Sequence, residues 1–305
     1  MNMHNKFLLD ANSVKQQAKN RFKRFWLALP IAIIGLMVIA AHAQSEFTEE
    51  SFSEDFGDAV KVTVFQAAGP NANSIQSTVD QFRNALGDNN GITTTPPATP
   101  LTTGRREINW DGGSTANTTT TLTPTPVLDQ FLSGRGARST TSGSGFVQAP
   151  ALGLADVFGN PSYATIFKAF SAQRLFSPIG SNVTDTLFFV PGHGDEQPAT
   201  TRGFGVVFSD TDLPDGSGPG EKRGNRHAST LIEYFGANGE LLFSSFAPAS
   251  PGDGNLSFIG IVFDDARIAR VRITAGATPG PDDSRRLDIV MMDDFIFGEP
   301  QRIIQ

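Results

Sequence analysis

From Arg105 onward the chain alternates between short apolar runs and clusters of Gly, Pro, Asn and Asp. The clearest runs are TLFFV (186–190), GFGVVF (203–208), TLIEYF (230–235), ELLFSSF (240–246), SFIGIVF (257–263), IARVRIT (268–274) and the closing LDIVMMDDFIF (287–297). Runs of this length, rich in Phe, Val and Ile and bounded by turn formers, predict strands, and their regular spacing predicts an antiparallel β-sandwich. Ala237-Asn238-Gly239 marks a tight hairpin between the third and fourth runs. Ahead of them, Lys61–Ala67 reads as a strand. Ser74–Leu86 reads as a helix, with Ile75, Val79, Phe82 and Leu86 on one face and Gly87 just past its end. Residues 88–104 and the Thr/Pro tract 117–125 read as loops, and 215–227 as a polar insertion between strands.

The N-terminus carries a different pattern. Lys15, Lys19, Arg21, Lys23 and Arg24 precede an apolar stretch from Trp26 to Ala40, which ends in Ala41-His42-Ala43. A basic region, a short apolar core and an A-x-A site predict a Sec-type signal peptide cleaved after Ala43. The expected destination is secreted or periplasmic, with no membrane span after cleavage. The chain then divides into a leader (1–43), an N-terminal region of acidic segment, strand, helix and loop (44–104), a sandwich domain (105–298) and a tail (299–305).

Cleavage would remove six of the 24 Lys and Arg and one of the 31 Asp and Glu, deepening the net charge from −7 to −12. Such an acidic chain is unsuited to nucleic acid or to an anionic membrane surface and compatible with divalent cations. There is no cysteine, which excludes disulfides, thiol nucleophiles and thiolate metal sites, and only His193 and His227 lie beyond the leader. No nucleophile elbow, Walker loop or dinucleotide fingerprint occurs.

Two acidic groupings remain as candidate chemistry. Asp210, Asp212 and Asp215 sit on a Gly-containing turn, the kind of oxygen-rich loop that calcium selects, and Glu221 falls at the twelfth position. Asp293 and Asp294 interrupt the closing strand. Strand alternation would send their side chains to opposite faces, each among apolar neighbours. Buried carboxylates need a partner: an arginine, with Arg270 or Arg272 on the preceding strand the natural choices, or backbone groups are expected first, a structural calcium next, and a catalytic role last. For an acid/base pair, Glu107, Asp111, Glu233 and Asp264 are the further carboxylates available. Trp110 and Tyr234 are the candidate aromatic surfaces for a ligand such as a glycan.

The closing VMMDDFIFGEP (290–300) resembles the last strand of jelly-roll carbohydrate-binding modules. The segments INWDGG (108–113) and VLDQFLSGRGARSTTSGSGF (127–146) look like the opening of such domains in secreted bacterial proteins, including PEP-CTERM-associated exported proteins. RLFSPIGSNVTDTLFFVPG (174–192), GFGVVFSD (203–210) and IEYFGANGELL (232–242) are also similar to exported bacterial proteins, so the resemblance covers about 105–298. It implies a jelly-roll-like sandwich with a structural calcium near the first and last strands, at Asp111 and Asp293 or Asp294. The expected function is a non-catalytic binding or structural module whose partner is an extracellular glycan or envelope component. The alternative is a secreted polysaccharide hydrolase using an Asp/Glu pair.

Overall fold

In the computed structural model, residues 48–51, 61–95, 101–112, 119–171, 173–193, 196–212, 230–281, 283 and 287–303 are described. The elements begin with β1 (Thr48–Ser51), β2 (Lys61–Gly69), α1 (Ala72–Leu86), β3 (Arg105–Ile108), β4 (Thr121–Thr123), β5 (Val127–Leu128) and α2 (Leu132–Arg135). There follow β6 (Ala137–Thr141), β7 (Gly145–Ala149), α3 (Ala151–Phe158), α4 (Tyr163–Ile166), β8 (Leu175–Ile179), β9 (Val183–Phe188) and β10 (Ala199–Thr200). The chain closes with β11 (Gly203–Ser209), β12 (Leu231–Phe235), β13 (Leu241–Phe246), β14 (Leu256–Phe263), β15 (Arg270–Thr274), β16 (Met291–Gly298) and β17 (Gln301–Arg302).

The strands form an antiparallel β-sandwich. The larger sheet runs β1-β2-β14-β11-β16-β8-β7-β4 with β3 also paired to β16, and the smaller runs β13-β12-β15-β9-β6-β5. From β6 onward most connections cross between the two sheets. Their inner faces share one core. Phe204, Phe295 and Phe297 come from the larger sheet, and Phe188, Ile232, Val271 and Ile273 from the smaller. The Phe188 ring lies 5.3 Å from Phe297 and 6.2 Å from Phe204, joining the layers.

Helices cover the other face of the larger sheet. α1 starts at an Asn71–Ser74 capping box and ends at Gly87, whose N–H donates to the Arg83 carbonyl. Its stripe Ile75, Val79, Phe82 and Leu86 packs on Phe65, Val207, Phe258 and Ile296. Gly205 and Gly260 are cross-strand partners. A Cβ on Gly205 would sit 2.7 Å from the Phe82 ring and one on Gly260 2.8 Å from it, so this glycine pair is the seat of the helix. α3 and α4 cover Val147, Ala149, Leu175 and Met291 in the same way. β11 and β16 are therefore buried along their whole length. β12 and β15 alternate buried and half-buried positions, because among the described residues no helix covers the outer face of the smaller sheet.

Three expectations change. β2 pairs with β14 from Val62 to Gly69, so the region placed ahead of the sandwich contributes a strand to its larger sheet. The Thr/Pro tract contains β4, laddered to β7. The last strand starts at Met291 rather than Leu287. No described helix is long and apolar enough to cross a membrane.

Candidate metal centre

β14, β11 and β16 lie side by side, and their register places Ser209 opposite both Leu256 and Met291. The end of β11 and the starts of β14 and β16 therefore meet at one edge of the sheet, and acidic residues leave each strand there. Asp210 follows β11 in the left-handed backbone region, at φ 69°, which Asp tolerates better than most residues. Its N–H donates to the Asn255 carbonyl at 2.9 Å, and the Ser250 N–H donates to the Thr211 carbonyl at 2.7 Å. Asp212 Oδ1 accepts from the Gly252 N–H at 2.8 Å, and the Asp212 N–H reaches Asp288 Oδ1 at 3.4 Å. Asp283 Oδ1 accepts from the Ile289 N–H at 3.2 Å. The backbone thus laces all three connections together.

Within this frame, one carboxylate oxygen each from Asp210, Asp212 and Asp283 lies within 4.8 Å of the others. Asp210 is only 1% exposed, and among the described residues neither of its oxygens has a hydrogen-bond partner. Burial, reinforced by the charges of Asp212, Asp283, Asp288 and Asp253, pushes its carboxyl up to about 9. The next side chain, Thr211 Oγ1, is also buried without a partner. Asp210 and Asp212 come together as the turn pattern suggested, whereas Asp215 lies outside the described residues. Asp283 and Asp288 were not singled out in the sequence. The signal available was the Asp282-Asp283 pair and Asp288 immediately before the closing strand.

Asp293 and Asp294 form a separate site, and they do not point to opposite faces. Val206 pairs with Phe295 but Val207 with Asp293, so a β-bulge inserts one extra residue at this pair. Met292 and Phe295 consequently both face the inter-sheet core, where strict alternation would have separated them. Both carboxylates reach the same neighbour. Asp293 Oδ2 accepts from the N–H groups of Phe170 (2.6 Å) and Ser171 (3.3 Å), and its Oδ1 from the Asp294 N–H (2.8 Å). Asp294 accepts from the Ser171 hydroxyl and pairs with Arg83 at 3.1 Å. Burial, then the adjacent Asp294, hold the Asp293 carboxyl well above the usual carboxylate range. Burial also raises Asp294, against the pull of Ser171 and Arg83.

Backbone groups and an arginine thus hold the pair, but the arginine is not one of the two expected. Arg83 of α1 serves Asp294, while Arg270 and Arg272 both pair with Asp185 on β9, at 2.7 and 2.9 Å. Glu107 is held by Arg83 and Arg105. Glu233 sits across from Arg272 on the open sheet face, and Asp264 is exposed.

Asp111, expected near the last strand as a calcium ligand, instead receives the Gln173 and Arg174 N–H groups on Oδ1 at 3.1 and 2.9 Å, and its Oδ2 is buried without a partner. Among the described residues it joins no group of three acidic side chains within metal-binding reach. Trp110 and Tyr234 are buried too. The Trp110 ring stacks on Phe176 with centroids 3.7 Å apart, and the Tyr234 hydroxyl donates to the Phe204 carbonyl at 3.4 Å. Neither ring offers a face to a ligand, because both fill the space between the sheets.

No known protein family matches the chain, and neither does any curated protein or solved structure.

Proposed function

We propose that the protein is an exported, non-catalytic β-sandwich module that acts outside the cytoplasm as a binding or structural unit. Its proposed partner is an extracellular glycan or envelope component. The observation that carries this reading is how the carboxylates of the closing strand are used. Asp293 is fully buried and takes three backbone N–H groups, and Asp294, 1% exposed, takes Arg83 and Ser171. A general acid or base must reach a substrate proton directly or through one water, and these two groups instead fasten the 170–171 segment and α1 to β16. Burial of Trp110 and Tyr234 moves any glycan contact to other surfaces.

The test pairs a glycan array and calorimetry with a turnover assay on polysaccharides. Saturable binding without turnover supports the reading. Turnover that disappears in Asp293→Asn while the melting temperature is unchanged refutes it in favour of a hydrolase. Absence of both binding and turnover leaves only the structural half.

A further inference from the structure

Four observations at the edge where β14, β11 and β16 end concern the same few atoms. The first is convergence. Asp210, Asp212 and Asp283 come from two different connections and still bring one oxygen each to within 4.8 Å of the others. The second is the state of Asp210. Its carboxylate is 1% exposed, and neither oxygen has a hydrogen-bond partner among the described residues. An ordinary acidic turn is solvated, and an ordinary buried carboxylate is paired, as Asp293, Asp294 and Glu299 are in this same molecule. Asp210 is neither, and it faces two more carboxylates.

The third observation is the surrounding charge. Among the described residues, the charged groups acting on Asp210 are Asp212, Asp283, Asp288 and Asp253, all acidic. The fourth is rigidity. Asp212 and Asp283 each spend an Oδ1 on a backbone N–H, from Gly252 and Ile289, which fixes the carboxylates.

We infer that Asp210, Asp212 and Asp283 are the protein ligands of a calcium ion that ties the connection leaving β11 to the one entering β16. The ligand chemistry selects the ion. The donors are carboxylate oxygens, with neither the imidazole nor the thiolate that zinc and copper prefer. Calcium bonds oxygens at about 2.3–2.6 Å, so oxygens up to about 5 Å apart can share one ion, whereas magnesium requires a tighter octahedron and keeps most of its water. Asp288 and Asp253 add negative field around the three ligands. This geometry stands whatever the module binds, so the inference succeeds or fails independently of the glycan assays.

The test uses the purified full-length chain. After dialysis against calcium and then against cation-free buffer, elemental analysis should find one calcium per chain. Titration of chelator-treated protein should show calcium binding and a rise in melting temperature, with magnesium much weaker. D210N and D283N should each weaken calcium binding by at least about 100-fold. D156N, on the exposed side of α3, should bind as the parent does. Circular dichroism reports whether each variant folds, and D283N or D212N decides the matter should D210N not fold. Failure of the parent chain to bind calcium overturns the assignment, as does binding that survives in both D210N and D283N. Equal affinity for magnesium overturns the choice of ion.

Discussion

Freed of divalent cations, the protein should carry a stability penalty that grows with pH, and Asp210 should account for it. Burial and then four acidic neighbours raise this carboxyl from 3.8 to about 9. The folded chain therefore keeps a proton that the unfolded chain releases. For a pKa raised on folding, the associated stability is complete below the unfolded value, about pH 4, and is lost as pH climbs to the folded value. Each pH unit inside that window is worth ~1.4 kcal/mol, so the step from about pH 5 to about pH 8 removes on the order of 4 kcal/mol. Other carboxylates titrate as well, and a difference measurement isolates this one. D210N has no proton to lose, so in chelator its stability relative to the parent should increase with pH at ~1.4 kcal/mol per unit. The assay is urea unfolding of both proteins at several pH values in that range. Parallel stability curves would refute the argument, because they would mean that Asp210 ionises without penalty in the folded chain. Saturating calcium should close most of the gap at neutral pH. An ion present at about 1,000 times its dissociation constant from the parent adds ~4 kcal/mol to the parent and, at about 100-fold weaker affinity, no more than ~1.4 kcal/mol to D210N.

The remaining predictions concern groups that hold the fold. Arg83→Ala removes the counter-charge of a buried Asp294 and should cost ~3 kcal/mol in urea unfolding, with Asp294→Asn in the same background recovering part of the loss; a cost below ~1 kcal/mol contradicts the pairing. Asp293→Ala strands three N–H donors and should cost at least ~3 kcal/mol, visible as a lower melting temperature. Trp110→Ala opens a cavity beside Phe176 and should cost ~3–5 kcal/mol, while any glycan binding by variants that remain folded stays at the parent level.

The strand runs, the stripe and closing Gly87 of α1 and the Ala237-Asn238-Gly239 hairpin were legible in the sequence because each depends on neighbours a few residues apart. Asp210 and Asp212 were legible as a possible cation turn for the same reason. What the tertiary structure decided was every relation between distant segments. The amphipathic stripe of α1 says that the helix packs, yet only the Gly205–Gly260 dimple says where. The apolar rows of the closing strand say that both faces are covered. The bulge against Val206 and Val207 brings Asp293 and Asp294 together, and a bulge depends on the partner strand's register. Arg83 lies 211 residues from Asp294 and meets it because α1 lies across β16. Asp283 joins Asp210 because β11 and β16 are adjacent antiparallel strands, so the residue leaving one and the turn entering the other share an edge. Local pattern fixed the elements, because secondary structure is a near-neighbour property. The carboxylate groupings were set by strand order and register, which are properties of the assembled sheet.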